Sequence, residues 1–168
     1  VEYAVLLNES GAIVWQVPLE GSIIAGSVHA KGTYVVINLI DRKAVSEVVL
    51  VGPTGSVLWN KTPSNLVYQV RVIREGIGFI GADRAFVFDF EGQTLWEYPF
   101  EGQVLRGDIG DDGSITVVVR EMTGHLSQDS RPQIIMLSPL GKEVCSYSLD
   151  HDPNLVYQAR SEERRVGK

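Results

Sequence analysis

An all-β fold made of four-stranded antiparallel units is what this sequence predicts, and three observations carry the prediction. A glycine followed four residues later by a large apolar residue recurs along the chain, each such glycine closes a four-residue turn between strand-like runs, and no stretch shows helical periodicity. The recurrence interval is roughly 40 residues, in the range of solenoids and propellers. Four strands per interval make a propeller blade, so the expected architecture is a partial β-propeller: about three complete blades plus partial blades at both ends.

The repeated units are Gly11-Ala-Ile-Val-Trp15, Gly55-Ser-Val-Leu-Trp59, Gly92-Gln-Thr-Leu-Trp96 and Gly141-Lys-Glu-Val-Cys145, the last with cysteine in place of tryptophan. The turns they close are Asn8-Glu-Ser-Gly11, Gly52-Pro-Thr-Gly55, Asp89-Phe-Glu-Gly92 and Ser138-Pro-Leu-Gly141. Asn, Asp or Ser at the first position, Pro at the second and Gly at the fourth is the pattern of a type I turn, and a fourth-position glycine can take the positive φ that a bulged hairpin requires. The runs before the turns ("YAVLL", "SEVVLV", "AFVFDF", "QIIML") read as strands. Those after the turns are short and end on the large apolar residue, so Trp15, Trp59 and Trp96 are expected at equivalent buried positions, with the Cys145 copy more loosely packed.

Between these hairpins lies a second type. "VPLEGSIIAGSVHAKGTYVVINL" and "YPFEGQVLRGDIGDDGSITVVV" align almost column by column, with turns at Ala30-Lys-Gly32 and Asp111-Asp-Gly113, and "LVYQVRVIREGIGFIGAD" is the same unit with a turn near Arg74-Glu-Gly76. With strands lettered a to d from the inside out, complete blades are expected over 22–61, 66–99 and 103–148. Residues 3–17 supply strands c and d of an earlier blade, and "LVYQAR" at 155–160 supplies strand a of a following one. A propeller closes its ring to protect its edges, so residues 1–160 read as a fragment of a larger propeller. The charged run 161–168, "SEERRVGK", has no repeat character and is set aside as a possible sequence artefact.

Composition narrows the function classes. A formal net charge of -6 with scattered acids and bases leaves no electrostatic footprint for nucleic acid. The lone Cys145 cannot form an intramolecular disulfide, and no window approaches the apolar length of a membrane helix.

The turn, the Gly-x-x-x-Trp unit and the four-stranded repeat resemble the quinoprotein-like (PQQ-like) β-propeller superfamily, whose blades carry a tryptophan docking motif. The likeness extends over residues 3–160 and is closest at Thr54-Gly55-Ser-Val-Leu-Trp59. The superfamily's motif also has an aspartate four residues before the glycine, where this chain has Leu7, Val51, Phe88 and Leu137. The resemblance therefore implies a degenerate, non-catalytic type, akin to binding or assembly propellers, with no cofactor and an extracytoplasmic setting, periplasmic or cell-surface. The alternative is part of a PQQ-dependent oxidoreductase whose active-site blades lie outside this stretch.

Candidate chemistry is sparse. "GDIGDDGS", 107–114, invites a calcium-loop reading, but Gly110 and Val119 stand where a calcium loop needs oxygen ligands, so a plain hairpin turn is expected. His29, His125 and His151 fall in different repeats without metal-ligand spacing. Arg71 and Gln69 are read as lining the central channel or bridging blades, as are Arg160 and Gln158. Links d-to-a and b-to-c emerge on one face, and the largest insertion there, "REMTGHLSQDSRP" at 120–132, is where a partner is expected. Its candidate contacts are His125, Gln128, Asp129 and Arg131, meeting a protein or a small polar ligand. The remaining blades of the parent chain are the other expected partner.

Overall fold

The computed structural model describes residues 1–29, 35–40, 45–63, 66–120 and 132–149. Its frame is set by four turns in which the glycine N–H donates to the carbonyl three residues back: Gly11 to Asn8, Gly55 to Gly52, Gly92 to Asp89 and Gly141 to Ser138, at 2.9–3.1 Å. In three of them the first side chain caps the turn, Asn8 Oδ1 accepting from the Ala12 N–H at 2.9 Å, Asp89 Oδ1 from Gln93 at 2.7 Å and Ser138 Oγ from Lys142 at 3.2 Å. The first residue's N–H donates in turn to the carbonyl of the residue after the glycine, at 2.8–2.9 Å, which makes each a type I turn with a glycine bulge. A second slip of register follows at Val14, Leu58, Leu95 and Val144.

These turns join the outer strand pairs. The first is a two-stranded hairpin, β1 (Glu2–Leu7) with β2 (Ile13–Leu19). Three four-stranded antiparallel sheets follow, each in simple sequence order. The first holds β3 (Ser22–Val28), β4 (Val35–Ile40), β5 (Ser46–Val51) and β6 (Val57–Lys61). The second holds β7 (Val67–Ile73), β8 (Gly76–Gly81), β9 (Arg84–Phe88) and β10 (Thr94–Pro99). The third holds β11 (Gln103–Ile109), β12 (Ile115–Arg120), β13 (Pro132–Leu137) and β14 (Glu143–Ser148). The described residues contain no helix, and so none long and apolar enough to cross a membrane. Residues 155–160 and the tail 161–168 lie outside the described residues.

The cores lie between sheets, which explains why the middle strands read as unbroken apolar runs. In β5, Val49 and Val51 face the hairpin with Trp15, Val17 and Leu19, while Val48 and Leu50 face the second sheet with Phe79 and Phe86. Both faces are buried, so period-two alternation of polar and apolar residues disappears. Phe79, fully buried, is worth about 1.5–3 kcal/mol by area removed from water. On the other side of the second sheet Ile80, Ala85 and Val87 pack with Ile109, Ile115, Val117 and Leu137 of the third. Ser46 is the one buried polar side chain among the described residues, and its hydroxyl accepts from the Val67 N–H of the next sheet at 2.9 Å.

Candidate functional site

The innermost strands meet one another: β3 packs on β7, and β7 on β11. They form a wall whose polar groups tie one sheet to the next. Ser27 Oγ accepts from the Val72 N–H at 3.1 Å, and Gln69 Nε2 donates to Asp108 Oδ1 at 3.1 Å. Arg71 Nη1 donates to the Ile109 carbonyl at 2.7 Å while Nη2 pairs with Asp111. Gln69 and Arg71 thus bridge sheets, one of the two roles open to them in the sequence, and both also border a cavity between β3 and β7.

Each inner strand also carries the same irregularity, which sequence reading missed. Register slips between Ile23 and Ala25 in β3, between Val67 and Gln69 in β7, and between Val104 and Arg106 in β11. Ile24, Tyr68 and Leu105 are therefore extra residues in bulges, which re-aim a side chain off the regular pleat. Ile24 and Tyr68 are exposed, at 46% and 40%. The available signal was an apolar doublet near the start of each strand (Ile23-Ile24, Val67-Tyr68, Val104-Leu105), which breaks alternation at the same place three times.

Cavities open between sheets among the described residues, three of which bear on a site. The outer one, about 370 Å³, lies among Lys61, Arg84, Phe86, Phe88, Thr94 and Glu97. Its charges are already engaged: Arg84 Nη1 donates to Glu97 at 2.6 Å and its Nε to Asp83 at 3.0 Å, and these bonds, Asp83 first, raise the guanidinium pKa further. Lys61 Nζ sits 5.0 Å from the Phe88 ring centroid and 6.0 Å from that of Trp59, a cation–π arrangement. A second cavity of about 470 Å³ runs between β3 and β7, with His29, Arg71, Arg74 and Asp111 on its rim. The third, about 200 Å³, lies between β7 and β11 at the bulges, with Tyr68, Gln69 and Arg106 among its lining.

The repeat residues take a different role from the one expected. Trp15, on β2, packs on Gly55; Trp59, on β6, on Gly92; Trp96, on β10, on Gly141. Each indole thus leaves its own sheet and closes on the glycine turn of the next. Trp59 Nε1 donates to the Phe90 carbonyl at 2.9 Å and Trp96 Nε1 to the Pro139 carbonyl at 3.0 Å, both two residues before the glycine. The expectation of three equivalent buried indoles is corrected: Trp15 is buried at 8% exposure, whereas Trp59 and Trp96 are half-buried. They cap a neighbour's turn while packing against the edge of the core between sheets. Cys145, a free half-buried thiol, takes the indole position on β14, and Gly11 has nothing within 4 Å of where a Cβ would stand.

Gly110 to Gly113 forms a turn closed by a 3.0 Å hydrogen bond, with Asp112 Oδ1 accepting from the Ser114 hydroxyl and N–H. Those bonds, the hydroxyl first, hold the Asp112 pKa below its ordinary value. The plain-turn reading of 107–114 stands, and no group of three metal-ligating side chains occurs among the described residues. His125, Gln128, Asp129 and Arg131, with His151, Gln158 and Arg160, lie outside the described residues.

Successive four-stranded antiparallel sheets, packed face to face with their first strands converging, define a β-propeller. The comparisons agree. BamB from Moraxella catarrhalis matches with TM-score 0.56 and 17% identity over 81% of this chain and 40% of its own. Kuenenia stuttgartiensis hydrazine synthase matches with TM-score 0.60 and 10% identity over 83% of this chain and 41% of its own. BBS1N, solved in complex with ARL6DN, matches with TM-score 0.52 and 11% identity over 86% of this chain and 55% of its own. No family model and no curated protein matches. The chain spans 40% to 55% of the length of these structures, and its fold is that of a partial β-propeller, held sheet to sheet by its tryptophans.

Proposed function

We propose that the chain is part of a non-enzymatic β-propeller that serves as a binding or scaffold module. The observation that carries this is the division of labour between the faces of each sheet. The facing sides of neighbouring sheets are taken up by packing, and polar side chains of the inner strands and of the outer rim, Gln69, Arg71 and Arg106 on the one and Lys61, Arg84 and Glu97 on the other, face open space between sheets. Such a surface presents groups to a partner without assembling a reaction centre. The similarity to BBS1N, crystallised in complex with another protein, supports the same reading.

In this proposal residues 1–160 belong to the propeller and 161–168 stand outside it, and further blades cover the exposed Tyr3, Val5, Leu7 and Ile13 of the first hairpin. A partner protein or small polar ligand meets the loop face through His125, Gln128, Asp129 and Arg131, in an extracytoplasmic setting. Arg120, at the base of that loop, supports the placement: its Nε is buried with no hydrogen-bond partner among the described residues. The test is cross-linking of the chain in its native extract, beside a variant with 121–131 replaced by a Gly-Ser linker. A specific cross-linked partner lost in the variant is the expected result, and one retained undiminished would remove the loop from the interface.

A further inference from the structure

We propose that the 200 Å³ cavity between β7 and β11 is a carboxylate site, with Arg106 as its anchor and Tyr68 as a second donor. The inference deepens the binding-module reading and rests on it. On the inner wall the other guanidiniums have carboxylate neighbours, Arg71 with Asp111 and, more loosely, Arg74 with Glu75 at 3.7 Å. Arg106 is exposed and makes no hydrogen bond or ion pair among the described residues, although the chain carries 21 Asp and Glu against 15 Lys and Arg. The Tyr68 hydroxyl is likewise unengaged among them.

The repeat shows why this arrangement is local to one junction. The residues following the three inner-strand bulges are Ala25, Gln69 and Arg106, so only β11 supplies a cation at that level. The bulge beside it brings Leu105 out of the pleat, and Gly107 lets the neighbouring sheet come close: a Cβ there would stand 2.7 Å from Ile80 Cδ1 and 3.0 Å from Val117 Cγ1. The pocket thus combines a planar fork of N–H donors, a phenol and a short apolar wall of Leu105 and Ile80. A guanidinium matches a carboxylate with two parallel charge-assisted hydrogen bonds. Ligand pockets commonly run to roughly 300–1,000 Å³, so this smaller one suits a carboxylate on a short aliphatic stem and is undersized for a quinone-sized cofactor. Such a group is either a small free acid or the Asp or Glu side chain of a partner.

The experiment is an amide NMR titration of the whole chain with glutarate and, separately, with a short capped peptide containing one glutamate. Glutaramide and the glutamine peptide are the neutral controls. Saturable shifts centred on Leu105, Arg106 and Gly107 with either acid, absent with its neutral counterpart, are expected. Glutarate binding alone identifies a free acid as the ligand, and peptide binding identifies a partner's side chain. Arg106→Gln should weaken binding by about tenfold or more, the loss of a charged hydrogen-bond donor, and Arg106→Lys should restore part of it. The exposed position of Arg106 leaves folding intact, which an unchanged spectrum elsewhere verifies. Absence of saturable shifts with both acids, or equal binding by Arg106→Gln, overturns the proposal. If the cross-linked partner is still captured in that case, the binding-module reading survives and only the carboxylate site falls.

Discussion

The junction between the first hairpin and the first sheet and the junction between the second and third sheets use the same residues and reach different settlements. At the first, Trp15 lies with its Cβ and Cγ 2.7 and 2.9 Å from where a Cβ on Gly55 would be; its indole is buried and its Nε1 finds no acceptor among the described residues. At the other, Trp96 lays its ring fusion over Gly141, with Cδ2 2.5 Å from where a Cβ on that glycine would be, stays half-exposed and donates to the Pro139 carbonyl. One indole maximises burial and forfeits a hydrogen bond, and the other does the reverse. A buried unpaired donor costs about 1–3 kcal/mol, close to what the deeper burial returns. A repeated motif therefore ensures a repeated contact and leaves its energetic composition to the local tilt of the ring.

Truncation separates the two most strongly. Trp15→Ala should lose about 3–5 kcal/mol, as large aromatic deletions from a core do, whereas Trp96→Ala should lose about half as much. Urea unfolding followed by fluorescence of the remaining tryptophans gives both, and equal losses would show that burial does not govern the clamp. Next in size is the turn. Gly141→Ala meets both a positive φ of 72° and the Trp96 ring, while Gly11→Ala meets only its φ of 79°. The first should cost about 2–4 kcal/mol and the second about 1–2, the difference being the displaced indole.

Conversion of tryptophan to phenylalanine sharpens the contrast by changing its sign. Trp59→Phe and Trp96→Phe each delete a hydrogen bond and should lose about 1 kcal/mol or somewhat more, whereas Trp15→Phe removes an orphaned donor and should lose less or gain. Thermal melting of the three variants side by side checks the order.

The smallest expected effect belongs to the second–third junction alone. There the Tyr98 hydroxyl donates to Glu143 Oε2 at 2.5 Å, a bond that, with burial, pushes the phenol pKa up to about 12 and holds the Glu143 carboxyl below its ordinary range. A raised folded-state pKa means that the contribution of the bond is whole below about pH 10 and is lost as pH rises toward 12. On the acid side it is lost as Glu143 protonates. Wild type should therefore shed this increment between those alkaline limits while Tyr98→Phe lacks it throughout, and parallel melting curves across that range would dissociate the bond from stability.

Much of this fold was legible in the chain. Asn8, Asp89 and Ser138 before a fourth-position glycine announce capped type I turns, because the information sits within five residues. The apolar runs "SEVVLV" and "AFVFDF" announce strands, and their burial on both faces emerged from the packing of sheet on sheet. The candidate site was legible only in part. Gln69 and Arg71 stood out by their place in an inner strand, but Tyr68 and Arg106 did not, because nothing local marks an arginine as lacking a carboxylate. That property depends on every side chain the other strands bring near. The destination of each indole was hidden for the same reason, since the glycine it covers belongs to the next sheet.

By itself the sequence determined the turn types, the strands that flank them and the count of strands per repeat, all properties of backbone dihedrals and of near neighbours along the chain. Tertiary structure alone decided that the tryptophans clamp the next sheet's turn, and that Arg106 is left facing a small cavity without a partner among the described residues. These depend on the tilt and distance between packed sheets, which no short stretch of residues encodes.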